Sequence, residues 1–134
     1  MRVTHLSIGA RDADRLAEFY KEVFACKDRR AGRVLSGEKV SLGNGLPNST
    51  IYSIWLTFPG VESPFLEIHQ YAEATDRPLP RVNDPGYAHL SFAVEDIDAI
   101  RHDILRAGGA TQGEVTNLGT VDAPFLTVYM RDQE

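Results

Sequence analysis

The 134-residue chain has one cysteine, one tryptophan and two methionines. With Cys26 alone, no intramolecular disulfide can form, so a reducing cytoplasm is the expected compartment. No apolar run approaches a membrane span, and Met1-Arg2-Val3-Thr4-His5 lacks the hydrophobic stretch of a signal peptide. Basic residues are in deficit, 14 against 19 acidic, for a formal net charge of -5. That balance argues against nucleic acid and anionic membranes as partners, both of which require basic patches. The charges are scattered, so no acidic tail is implied either.

What is present fits one compact domain that can bury a core without disulfides or a structural metal. Hydrophobic residues make up 43% and charged residues 25% of the chain, an ordinary globular balance. The clearest signal is an internal repeat. Thr4-His5-Leu6-Ser7-Ile8-Gly9-Ala10-Arg11-Asp12-Ala13-Asp14 returns as Ala88-His89-Leu90-Ser91-Phe92-Ala93-Val94-Glu95-Asp96-Ile97-Asp98, with His, Leu, Ser and both Asp at the same offsets. Each copy reads as a strand feeding a helix capped by aspartate. The expected architecture is two modules, residues 1–71 and 86–134, joined by a proline-rich linker over 72–85. One histidine per copy suggests two imidazoles meeting near a pseudo-two-fold axis.

In the first module His5, Ser7 and Gly9 alternate with Leu6, Ile8 and Ala10, so the strand has one polar and one apolar face. Leu16, Phe19, Tyr20, Val23 and Phe24 form a helical stripe that packs on the Leu6/Ile8 side and leaves His5 on the other. A short twisted strand over 28–35, a loop over 36–49, and strands over 50–58 and 65–71 complete a β-α-β-β-β order. Phe65, Glu67, His69 and Tyr71 share one face. Two ionisable groups framed by aromatics are unusual where core is expected. In the second module the pattern gives a strand over 87–94, then a helix with Ile97, Ile100, Ile104 and Leu105 buried and Gly108-Gly109 as its stop. A weak strand over 111–119 and a strong one over 123–131 follow. The counterpart of the Glu67 strand would lie beyond Glu134.

These residues resemble the vicinal oxygen chelate superfamily, which includes glyoxalase I, extradiol dioxygenases and bleomycin-resistance proteins. The markers are Thr4-His5-Leu6, Glu18-Phe19-Tyr20-Lys21-Glu22-Val23, Phe65-Leu66-Glu67-Ile68, Gly86-Tyr87-Ala88-His89-Leu90 and Val128-Tyr129-Met130-Arg131-Asp132. The resemblance implies an α+β fold: paired βαβββ modules forming an open half-barrel cleft, with the second module lacking its last strand. It also implies His5, Glu67 and His89 as ligands of a divalent metal such as Zn, Ni, Fe, Mn or Co. Glu67 would act at the metal, and His69 in proton transfer or behind the ligands. Trp55, Phe65, Tyr71, Tyr87 and Phe125 would wall a substrate pocket, unless they are simple core. Glyoxalase I carries an Arg and an Asn for glutathione where this chain has Gly9 and Tyr71. That argues against a glutathione thioester substrate. The expected function is a metal-dependent lyase, isomerase or dioxygenase acting on a small oxygenated metabolite. The alternative is a metal-free sequestration protein of the bleomycin-resistance type. A homodimer is expected, because open half-barrels leave sheet edges to cover.

Overall fold

The computed structural model describes residues 1–134. The chain divides into two compact units, one of residues 1–75 with 133–134, the other of residues 76–132.

The first unit runs β1 (His5–Gly9), α1 (Ala13–Phe24), β2 (Lys27–Ser36), α2 (Glu38–Asn44), β3 (Thr50–Thr57) and β4 (Phe65–Tyr71). Its strands form one open sheet in the order β1-β4-β3-β2, with β1 parallel to β4 and the other pairs antiparallel. Alternation decides what each face carries. Ile54, Leu56, Leu66 and Ile68 are buried on the helix side, opposite the α1 residues Ala13, Leu16, Ala17, Phe19, Tyr20 and Val23. Phe24, expected in the same stripe, is only half-buried, since it is the last helical residue. Asp12 caps α1 by accepting from the Arg15 backbone N–H at 3.0 Å. The helix ends at Ala25 in the left-handed region, φ 52°, and Cys26 behind it is buried packing.

The segment 36–49, expected as a loop, contains α2. Its glycines punctuate the helix instead of preventing it: Gly37 precedes it at φ 98° and Gly45 closes it at φ 74°. None of its residues is buried, so no apolar stripe announces it.

The second unit holds α3 (Ile97–Arg106) and four two-residue strands, β5 (Ala110–Thr111), β6 (Thr116–Asn117), β7 (Leu126–Thr127) and β8 (Met130–Arg131). Asp96 caps α3, accepting from the Asp98 and Ala99 N–H groups at 3.0 and 2.9 Å, as Asp12 does at the equivalent place in the repeat. Gly108, at φ 89°, and Gly109 end it, their N–H groups donating to the Leu105 and Ile104 carbonyls.

Four expectations fail in this unit, the first being the weak strand over 111–119, of which only Thr111 and Thr116–Asn117 are in strands. Residues 87–94 form no strand. In the first repeat β1 exists because β4 lies beside it, and no segment of the second unit gives 87–94 such a ladder. The strong strand over 123–131 is split, because β7 pairs with β6 while β8 pairs with β5; between them the Tyr129 carbonyl accepts from both Gln112 and Gly113. Leu105, expected in the buried stripe of α3, is 46% exposed, and Ile104 is the unit's one buried apolar residue. No helix of the chain is long and apolar enough to cross a membrane.

Candidate active site

The sheet face away from α1 carries the chemistry. The β1–β4–β3 register sets Ser7, Glu67 and Trp55 side by side, with His5 against Phe65 and His69 against Ser53 in flanking rows. Opposed residues in a sheet share a face, so His5, Phe65, Glu67, His69, Ser53 and Trp55 project together.

Glu67 is the centre. Its two carboxylate oxygens have different partners. Oε1 accepts from the Trp55 indole Nε1–H at 2.7 Å and lies 3.0 Å from His69 Nε2. Oε2 lies 3.5 Å from His5 Nε2. A buried carboxylate needs such partners, because desolvating a bare charge is costly. The His69 Nε2 contact is close but lacks hydrogen-bond alignment, and that buried nitrogen has no other partner. His5 is the open member, its side chain 43% exposed against 12% for Glu67. Its Nδ1 lies 3.2 Å from the Thr4 hydroxyl. When Nδ1–H donates to that oxygen, Nε2 presents a lone pair beside Glu67 Oε2.

Aromatic rings frame the group. Trp55 and Phe65 centroids are 4.5 Å apart, Phe65 lies 5.2 Å from the His5 ring, and Tyr71 meets His69 edge-on at 6.1 Å. His5, Glu67, His69, Trp55, Phe65 and Tyr71 are thus brought together or into contact within the first unit. Phe65 is buried, and Trp55 and Tyr71 are half-buried. The remaining candidates stand in the second unit. His89 packs edge-on against Tyr129 at 5.3 Å, while Tyr87 and Phe125 are 69% and 63% exposed.

Sequence reasoning overlooked the arginines. Arg30 lies over the Trp55 ring at 4.0 Å, Arg33 is 6.0 Å from the same ring, and Arg29 is 4.8 Å over Phe65. Strand β2 was the least regular in pattern, so their face was not assignable. Register shifts between Asp28 and Arg30 and between Arg30 and Arg33 re-aim them, as bulges do. Burial, then the neighbouring Arg33 charge, pushes the Arg30 guanidinium below its ordinary range, partly offset by Glu67.

Two concavities lie elsewhere. One of about 710 Å³ is lined by Gly37, Glu38, Ser41, Leu42 and neighbouring loop residues; one of about 440 Å³ is lined by Asp14, Glu18, Lys21, Asp28 and Tyr52. In the second, Lys21 bridges Glu18 and Asp28, each at 2.9 Å, and Tyr52 donates to Asp14. Neither holds an imidazole. Chemistry, not concavity, marks the Glu67 face.

An open α+β sheet with a helix on one face and a carboxylate flanked by imidazoles on the other is that of a vicinal oxygen chelate protein. The chain belongs to the glyoxalase-like domain family, whose model matches residues 5–134. Among solved structures it is similar to a glyoxalase family protein from Bacillus cereus, at 22% identity and TM-score 0.77 over 89% of this chain and 80% of that one. It is also similar to the trypanothione-dependent glyoxalase I of Leishmania major, at 19% identity and TM-score 0.58 over 99% and 87%. A third is a mutant of the fosfomycin resistance protein of Listeria monocytogenes, complexed with Mn(II) and a dihydroxypropylphosphonic acid, at 16% identity and TM-score 0.53 over 94% and 82%. At such identities these likenesses speak to the fold. No curated protein matches the chain.

Does the donor set suit a divalent metal? No three His, Cys, Asp or Glu side chains are grouped to hold one between them. His5 Nε2 and Glu67 Oε2 nevertheless form a two-ligand half-site: one imidazole nitrogen, one carboxylate oxygen, and the carboxylate's other oxygen tied to Trp55. That mixed nitrogen and oxygen set suits borderline divalent ions.

Proposed function

We propose that the chain is a divalent-metal-dependent enzyme of the vicinal oxygen chelate type. It would be a glyoxalase-like lyase or isomerase, or a dioxygenase, acting on a small oxygenated metabolite. The observation that carries this reading is the half-site of His5 and Glu67, with Glu67 oriented by an indole N–H. The complex of the fosfomycin resistance protein with Mn(II) supports a metal in this fold. His89 is assigned as the third ligand by the sequence resemblance alone.

A metal held by His5 and Glu67 would supply Lewis acidity toward substrate oxygens. The chain's own residues do the rest. Trp55 fixes one carboxylate oxygen of Glu67, so the other faces His5. His69, 3.0 Å from Glu67 and 16% exposed, would take or return a proton beside that carboxylate. Trp55 and Phe65 give an apolar floor for the carbon part of a substrate.

Cobalt titration followed by its visible absorption, with elemental analysis of the purified chain, tests the reading. Stoichiometric metal is expected in the unaltered chain. Binding should weaken by roughly 100-fold or more in Glu67→Ala and His5→Ala, and the same assay on His89→Ala tests the third ligand. An unaltered chain that takes up no metal from excess Zn, Co, Ni, Mn or Fe overturns the proposal.

One observation favours a second reading: no three ligating side chains are grouped. A metal-free sequestration protein of the bleomycin-resistance type would use the Trp55/Phe65 floor alone. His5→Ala separates the two, since it should leave ligand binding by a sequestering protein unchanged. We also read the chain as a homodimer, because Tyr87, Leu118, Phe125 and Leu126 lie exposed in the second unit and 87–94 lacks a ladder, and as cytoplasmic from its single cysteine. A monomeric mass in sedimentation equilibrium would refute the dimer.

A further inference from the structure

Three like charges gathered on one face of an acidic protein call for an explanation. Arg29, Arg30 and Arg33 stand over the Phe65 and Trp55 rings that flank Glu67. None has a carboxylate within ion-pairing distance. What they do touch is neutral. One Arg30 amino group donates to the Ser53 hydroxyl at 3.0 Å and the other to the Ala31 carbonyl at 3.1 Å; Arg29 donates to the Glu62 carbonyl. The Arg30 Nε is buried and has no hydrogen-bond partner. Lys21, Arg81, Arg101 and Arg106, by contrast, each pair with an acidic side chain.

Stacking explains part of this, since a guanidinium over an indole face is favourable. It does not explain the buried Arg30 Nε–H left without an acceptor, which costs stability. An oxyanion settled among the three would neutralise them. Guanidinium forks bind carboxylate or phosphoryl oxygens with charge-assisted hydrogen bonds.

We propose that Arg29, Arg30 and Arg33 form an anion subsite beside Glu67, so that the ligand of this face carries an oxyacid group, carboxylate or phosphoryl, in addition to the oxygens presented to His5 and Glu67. The subsite sets specificity: the aromatic floor takes the carbon skeleton and the arginines hold its anionic end. This deepens the enzymatic reading and rests on it for the rest of the ligand. The arginine chemistry itself needs no metal.

Trp55 is the only tryptophan, so its fluorescence reports on this face alone. The test titrates the full chain, stripped of metal with EDTA, with benzoate, phenylphosphonate and the neutral benzamide at constant ionic strength. Calorimetry repeats each titration independently of the fluorophore. A saturable response to at least one anion and none to benzamide is expected, and the tighter anion identifies carboxylate or phosphoryl as the preferred group. Arg30→Met should weaken that binding about tenfold or more, the worth of one charge-assisted hydrogen bond. Arg33→Met should weaken it less, and Arg30→Lys should fall between Arg30→Met and the unaltered chain, keeping charge but losing the fork. Far-UV circular dichroism establishes that the variants are folded. Equal responses to benzoate and benzamide, no saturable response, or unaltered affinity in both methionine variants would overturn the subsite. Because no metal is present, those outcomes leave the cobalt experiment standing, and a failure there does not alter these.

Discussion

The two copies of the repeat start alike and end differently. His5 and His89 each open a His-Leu-Ser run, and Asp12 and Asp96 each cap the helix that follows. Yet the first run is a strand in parallel register with β4 from His5 to Gly9, while the second makes no ladder at all. Local sequence is sufficient for a cap, because the acceptor and donors lie within three residues of each other. It is insufficient for a strand, whose hydrogen bonds belong to another segment. The difference extends to burial: the first unit has a packed interface between α1 and the sheet, whereas the second has Ile104.

Hydrogen exchange gives the widest separation. Amides of Leu66 and Ile68 in β4 should exchange only through global unfolding, whereas those from Ala88 to Val94 should exchange nearly as fast as an unstructured chain. Comparable protection in both would mean that 88–94 is paired in solution, and the contrast between the copies would disappear. Core truncation comes next. Leu66→Ala, at a residue 0% exposed, should cost about 3–4 kcal/mol in urea unfolding, and Ile104→Ala, at 6% exposed with few buried neighbours, about 2 kcal/mol. Equal losses would show the second unit to be as well packed as the first.

Alkaline pH probes the first unit alone, because it holds the only cysteine. Burial pushes the Cys26 thiol up from 9.0 to about 11. A raised thiol favours its proton in the folded state. Its stabilisation is therefore full below pH 9 and is lost as pH rises through about 11, amounting to about 2–3 kcal/mol. Cys26→Ala should flatten the unfolding free energy over that window; an unchanged slope would count against the assignment. The smallest effect tests what the copies share. Asp12→Ala and Asp96→Ala should each cost about 1 kcal/mol, and a large inequality would show that the caps are not equivalent.

What could be read from the sequence follows the same division. The α1 stripe, the alternation of β3 and β4, the two caps and the shared face of Phe65, Glu67, His69 and Tyr71 all follow from periodicities within a dozen residues. The helix α2 was missed because it buries nothing, and the split of 123–131 because its two halves pair with two different segments further back in the chain. In the site, Glu67 and its two imidazoles were legible through alternation. The indole N–H on Glu67 needed the β3–β4 register, and the arginines needed the bulges of β2, neither of which periodicity encodes.

Strand β4 alternates strictly, with Leu66 and Ile68 on one side and Glu67 and His69 on the other. A one-residue slip of β4 against its neighbours would turn every side chain over. It would drive a carboxylate and an imidazole beneath α1 and lift leucine and isoleucine into the place of the acid. The turn from Phe58 to Pro64 hands β3 on to β4 and can absorb an added residue as surface loops do; what would erase the ligands and the core together is a slip of the strand itself, which β1 and β3 hold in phase from both sides.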